Sequence, residues 1–310
     1  MKCDYRHKKV CVLGGGGVYG YCMLGAIQFL LENKMNVNCY VGTSIGSIIG
    51  MLLCCGYTIQ EITTSFSNRK VHKSIITSNI SLKNVFEHFG SLSIETIFPI
   101  VDKMIESKVG MNATYEDLWN KTGKELTVVC TNVTERKSEY FSRKTTPHMH
   151  VSLSLRMSCC IPILFQPIKY NDSIYVDGAL CDNFAIDFTR NILQYTNAEI
   201  IGVRVATCTH ASAITNLFDY LLAISGIVRD TVCNRSVQQY HSTQNTMTID
   251  TSALSIDMYK ILTDKTIPYS QFQSLTNYLY SDGFRQTQKT HLSNIMDNCN
   301  NGNASSRYDP

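Results

Sequence analysis

Three short stretches of the chain hold residue types that could do chemistry, each at a point where a β-strand is expected to end. The first is Gly42-Thr43-Ser44-Ile45-Gly46, a G-x-S-x-G at a strand-to-helix junction. A serine on such a turn is held in a strained backbone conformation with its hydroxyl exposed above the sheet. Glycines two residues to either side are needed where a Cβ would clash between strand and helix, and the helix N-terminus favours developing negative charge. The second is Gly15-Gly16-Gly17-Val18-Tyr19-Gly20. Its backbone N–H groups can point into a concavity at a helix start, an arrangement that binds anions. The third is Asp177-Gly178-Ala179, with a carboxylate on the face where α/β proteins assemble their sites. Each stretch alone reads equally as an ordinary Gly-rich or Asp-Gly turn. Together an anion cradle, an elbow serine and a strand-end carboxylate form a nucleophile, oxyanion-hole and base set.

Rival chemistries lack their partners. A dinucleotide cradle needs an acidic residue on the second strand to hold a ribose, and no Asp or Glu lies between Asn33 and Gln60. An α/β-hydrolase triad runs Ser, then Asp or Glu, then His, with several strands before the elbow. Here only two strands are expected before Ser44, and His210, His241 and His291 sit in no motif. His148 and His150 have no carboxylate or third ligand beside them and read as a solvated loop. Neither a metal nor a cofactor is therefore expected. The thirteen cysteines are odd in number and form no zinc-like spacing, which fits reduced thiols.

These residues must be positioned by an alternation of strands and helices. Val10 to Leu13 reads as a first strand, followed by a helix from about Tyr21 to Glu32. Cys39 to Val41 reads as a second strand, with a helix starting near Ser44. Thr58 with Glu61 and Thr114 with Asp117 mark helix starts. Further strands are expected over Leu126–Thr131, Ser138–Phe141, Ile163–Tyr170, Ile174–Val176 and Ile200–Val205, with a helix over Val151–Cys160. Asn68 to Gly110 reads as an irregular and helical insertion. The uncharged run Met35 to Gln60 is punctuated by Gly42, Gly46, Gly50 and Gly56, so it reads as a buried strand–turn–helix and not a membrane span. Ile214, Leu217, Phe218, Leu221, Ile224 and Val228 form an amphipathic stripe whose expected use is core packing.

The composition is globular: 44% apolar, 17% charged and net charge +3, with no long basic stripe, so a nucleic-acid partner is not expected. No signal-like stretch is read before Val10, and a cytoplasmic setting with at most transient membrane-surface contact is expected. An α/β class with a largely parallel sheet follows.

In their order and context, Gly15 to Gly20, Gly42 to Gly46 and Asp177 to Ala179 resemble the three signatures of patatin-like phospholipases. The similarity extends to Ile161-Pro162 before Phe165 and to Asn183, and spans roughly Val10 to Val205. It implies a three-layer α/β/α fold and a Ser44–Asp177 dyad acting on acyl esters of a lipid or phospholipid. Gly15 to Gly17 would form the oxyanion hole, and Gly20, Gly42, Gly46, Gly178 and Ala179 would support the motifs. The family commonly has Arg or Lys where this chain has Tyr19. The expected organisation is a catalytic domain over residues 10–206, a helical extension packed on it over 207–297, and a frayed tail over 298–310. A catalytically silent binding module on the same fold is the alternative, with a nucleotide-binding protein behind it.

Overall fold

The computed structural model describes residues 5–69, 72–73, 81–206, 214, 217–239, 246–252 and 266–304. Its strands are β1 (Val10–Leu13), β2 (Cys39–Thr43), β3 (Gly90–Leu92), β4 (Glu125–Asn132), β5 (Lys137–Ser142), β6 (Ile163–Phe165), β7 (Ile168–Tyr170), β8 (Ser173–Asp177), β9 (Ile200–Ala206) and β10 (Thr246–Asp250). The helices that bear on the site are α1 (Gly20–Glu32), α2 (Ile45–Cys54), α3 (Val151–Cys159), α4 (Leu217–Gln239) and α5 (Tyr269–Ala304).

The main sheet runs β10-β9-β1-β2-β4-β8-β7, with β5 also on β4. From β10 to β4 all pairings are parallel, while β5, β7 and β8 pair antiparallel. Both faces of the parallel part are covered, which is why its strands are apolar throughout. Cys11 and Leu13 of β1 join the large core with α1 and α2, whereas Val10 and Val12 pack with Phe184, Ala185 and Ile186 on the opposite face.

The register around β4 creates the site. β4 pairs with β5 over Thr127–Asn132, with β2 up to Val129, and with β8 from Cys130 onward. Because β5 takes one edge, β2 and β8 must share the other in tandem. Thr43, the end of β2, lies opposite Val129, and Asp177, the end of β8, lies opposite Cys130. The two strands approach from opposite directions and stop facing each other.

Several expectations change on folding. Ile163–Tyr170 is two strands, because Pro167 interrupts the ladder. β6 pairs with β3 in a small separate sheet, while β7 pairs with β8. The stretch after residue 206, read as mostly helical, also contributes β10, an edge strand paired with β9. The last helix is described to Ala304, past the expected start of a frayed tail. Of the apolar stripe, Ile214, Leu217, Ile224 and Val228 are exposed instead of packed in the core, Leu221 is half-buried, and the Phe218 side chain lies outside the described residues; Tyr220 and Ile227 of α4 are exposed as well. The capping boxes at Thr58–Glu61 and Thr114–Asp117 form as read.

The C-terminal helix is held by close backbone contact. A Cβ on Gly283 of α5 would stand 2.0 Å from the Cys22 carbonyl oxygen, and one on Gly25 of α1 would stand 2.0 Å from that of Tyr280. Glycine inside a helix costs about 1 kcal/mol relative to alanine. Here it lets two helices approach backbone to backbone, with Phe29 meeting Phe284 edge to face at 5.5 Å. Gly283→Val should therefore destabilise the fold by about 1–3 kcal/mol. A lowered urea midpoint at unchanged slope is the expected result, and an unchanged midpoint would show that the helices can separate freely.

Candidate active site

Ser44 occupies the junction between β2 and α2 with φ 52° and ψ −127°. A non-glycine residue enters this left-handed region only when its surroundings force it. The forcing contacts are visible on both sides. A Cβ on Gly42 would lie 2.5 Å from the Ser47 Cα, and one on Gly46 would lie 2.5 Å from the carbonyl oxygens of Leu13 and Gly14. Strand and helix can meet this tightly only through glycine. From α3, Ser158 secures the turn by accepting the Ser44 N–H at 2.8 Å and donating to the Val129 carbonyl at 2.6 Å.

The Ser44 hydroxyl donates to Asp177 Oδ2 at 2.6 Å, and both residues are buried. Asp177 Oδ1 accepts the Ala179 N–H at 2.8 Å, and the Asp177 N–H donates to the Cys160 carbonyl. Gly178 fits between the strand ends, since a Cβ there would stand 2.3 Å from the Val129 carbonyl oxygen. Burial pushes the Asp177 carboxyl up to about 6, opposed by the Ser44 hydroxyl, the Ala179 N–H and the charge of Arg229. A nearby carboxyl, Asp182, is raised to about 6 by burial as well and accepts the Tyr140 hydroxyl at 2.8 Å.

The glycine loop divides its donors. The Gly15 N–H goes to Asn183, at 3.0 Å to Oδ1 and 3.3 Å to the carbonyl oxygen. That N–H therefore anchors the loop to Asn183. A Cβ on Gly15 would also collide with Asn183 Oδ1, at 2.5 Å. Within the described residues the Gly16 and Gly17 N–H groups make no hydrogen bond, and both glycines line the cleft that holds Ser44 and Asp177. Gly17 has φ 53°, a conformation that favours glycine. Gly20 packs under Ile45, with room for no Cβ. Tyr19 is buried in the core and presents no charge to the cleft.

The cleft is also lined by Ile161, Pro162, Ala179 and Leu180, and by Ser225 and Arg229 of α4. Ser158, Asn183 and Arg229 are the neighbours that local sequence patterns leave unassigned. Ser158 and Arg229 lie in no motif, and Asn183 enters only through the resemblance. No histidine lines the cleft among the described residues. His291 is buried between Tyr5 and Phe29, and His148 and His150 are exposed. His210 and His241 lie outside the described residues. Among the described residues no group of three or more His, Cys, Asp or Glu could hold a metal, and no helix is long and apolar enough to cross a membrane. Nine described cysteines are free thiols; Cys159, beside Ser44, is driven well above the usual thiol range by burial and is a poor nucleophile.

The pattern described as patatin-like phospholipase matches residues 11–189. Over 193 residues the chain is 36% identical to a protein of Invertebrate iridescent virus 6 named as a probable lipid hydrolase, covering 62% of this chain and 66% of that one. It thus spans just under two thirds of that relative. A lysophospholipase of Candida glabrata is 29% identical over 177 residues, which cover 56% of this chain and 9% of that much longer protein. Among solved structures, VipD from Legionella pneumophila has a TM-score of 0.55 at 18% identity, over 93% of this chain and 67% of that one. ExoU in its complex with SpcU, from the type III secretion system of Pseudomonas aeruginosa, has a TM-score of 0.50 at 15% identity, over 94% and 53%. At these identities the likeness to the two solved structures is one of fold.

The raised Asp177 carboxyl makes a prediction about stability. Its folded value of about 6 lies above the ordinary 3.8, so the folded chain holds the proton more tightly than the unfolded one. The stability tied to that proton is present below about pH 4 and lost as pH rises through about 6. Asp177→Asn removes the buried charge and should melt no lower than the native chain at pH 7, with its relative advantage gone at pH 4. Thermal melts at the two pH values check this; a variant that melts lower at pH 7 would mean that the hydrogen bonds to the carboxylate outweigh its burial.

Proposed function

Because this chain belongs to the patatin-like phospholipase family, we propose that it hydrolyses fatty-acyl esters of lipids, with Ser44 as nucleophile and Asp177 as its base. The observation that carries the reading is the 2.6 Å hydrogen bond from the Ser44 hydroxyl to a buried carboxylate, in a cleft whose described lining holds no histidine. Ser44 attacks the ester carbonyl while Asp177 Oδ2 takes its proton. The oxyanion settles against the Gly16 and Gly17 N–H groups, and the leaving alcohol departs with the proton from Asp177. A water deprotonated by the same carboxylate then cleaves the acyl-enzyme and releases the fatty acid. A carboxylate is a weaker base than imidazole, so the fixed donors must supply more of the rate, at about 3 kcal/mol for each one lost. The upward pull of burial on Asp177 helps, by strengthening it as a base.

The apolar stripe of α4 supports contact with a lipid surface. Leu217, Tyr220, Ile224, Ile227 and Val228 are exposed on an arc of about 100° of the helix, while Ser225 and Arg229 on its flank line the cleft. The cleft mouth and the apolar arc thus adjoin, as an enzyme drawing its substrate from an aggregate requires. A nucleotide reading of the glycine loop has less support, since the Gly15 N–H is occupied and β2 carries no acidic residue.

Incubation with a fluorophosphonate probe should label the peptide containing Ser44, and Ser44→Ala should abolish hydrolysis of a p-nitrophenyl acyl ester in folded protein. Asp177→Asn should cost roughly 10²- to 10⁴-fold, while substitutions of His148, His150, His210, His241 and His291 have mild effects. An adduct on another serine, or one histidine as indispensable as Ser44, would overturn the dyad. For the surface, Ile227→Asp should lower hydrolysis of vesicle phospholipid about tenfold or more, since burying such a side chain is worth about 1.5–3 kcal/mol. Turnover of the soluble ester should stay unchanged; an equal loss on both substrates would refute the surface role.

A further inference from the structure

The mechanism uses the glycine loop, Ser44 and Asp177, and leaves one charged group of the cleft without a task. Among the described lining residues Arg229 is the one cation. It stands on α4, one helical turn after Ser225, which lines the same cleft. Its side chain is only 20% exposed, and Asp230 accepts from its Nε at 2.9 Å. The guanidinium reaches back along the helix, so that Nη2 lies 3.8 Å from where a Cβ of Gly226 would stand. Its charge is felt at Asp177, which puts it within electrostatic range of the reacting groups. The glycine loop brings no charged side chain of its own. The cleft is also lined by Ile161, Pro162 and Leu180, which suit an acyl chain and offer no charge to a polar headgroup.

A partly buried guanidinium beside a hydroxyl matches a phosphate, which it can grip through parallel N–H donors. In a glycerophospholipid the phosphate is separated from the acyl esters by the few bonds of the glycerol. A cation in the same cleft as the nucleophile is therefore at the right scale to hold the phosphate while the ester meets Ser44. We propose that Arg229 and Ser225 form a phosphate subsite, which makes the cleft select phospholipids or lysophospholipids over neutral acylglycerols. The inference rests on the lipid-esterase reading for its substrate, though the binding it requires does not depend on turnover.

The test uses the full chain and monomeric lipids below their critical micelle concentrations, so that surface binding does not enter. Arg229→Gln should lower kcat/KM for hexanoyl-lysophosphatidylcholine about ten- to a hundredfold, chiefly through KM. It should cost hexanoylglycerol much less, since any effect through Asp177 falls equally on both substrates, and Arg229→Lys should recover part of the loss, because it keeps the charge and not the paired donors. Equal losses on both substrates would mean that Arg229 acts through Asp177 or the fold, and no loss would mean that it does not meet the phosphate; either overturns the subsite. Calorimetry with hexylphosphocholine, which has a phosphate and no acyl ester, separates this from the esterase reading. Binding by the native chain that is lost in Arg229→Gln supports the subsite even if no ester is turned over, and absence of binding overturns it. Inorganic phosphate should compete weakly; binding as tight as that of hexylphosphocholine would identify free phosphate as the ligand and overturn selection of a lipid headgroup.

Discussion

The site depends on one edge of one strand. β4 offers a single edge to two partners, β2 along its first half and β8 along its second, running in opposite directions. Consecutive residues of β4, Val129 and Cys130, are paired with Thr43 and Asp177. The chain leaving β2 and the chain ending β8 must therefore turn away from the same point, and Ser44 and Asp177 are the residues at that turn. Their hydrogen bond is a consequence of strand register, which is specified strongly because a one-residue slip would reverse which side chains face each core.

Such a junction is crowded, and the crowding explains the glycines better than flexibility does. Gly42, Gly46 and Gly178 each face backbone atoms within 2.5 Å of an added Cβ. The same crowding holds Ser44 in its left-handed conformation, a local cost of order 1–3 kcal/mol that the surrounding packing must offset. Ser158 ties the elbow to β4, and Cys160 ties Asp177 to the end of α3. One helix end thus steadies both Ser44 and Asp177. The buried carboxylate is a second cost, and it is what gives Asp177 its raised proton affinity.

The segment after residue 206 is joined to this centre in two ways. β10 extends the sheet beside β9, and α5 lies on α1 through paired glycines. Ahead of both in the chain, α4 packs on the short helix Ala179–Asp182, which follows Asp177, and lines the cleft with Ser225 and Arg229. The domain division at residue 206 read from the sequence consequently separates chain segments that share a sheet and a cleft wall.

What the sequence by itself determined were the features encoded by near neighbours. The elbow at Gly42–Gly46, the strand-end Asp177, the capping boxes and the alternation of apolar strands with helices all follow from turn chemistry and periodicity within a few residues. The parallel class and the order of the motifs came with them. Tertiary structure alone decided the matters that turn on partners more than a hundred residues away. Asn183 lies 168 residues from Gly15 and takes its N–H. Ser158 lies 114 residues from Ser44 and has no motif around it. The apolar stripe of α4 is equally compatible in sequence with a buried or an outward face. Only its seating against the cleft, with Arg229 inward and Ile227 exposed, shows which, because a helix's period states that it has two faces and says nothing of what each one meets.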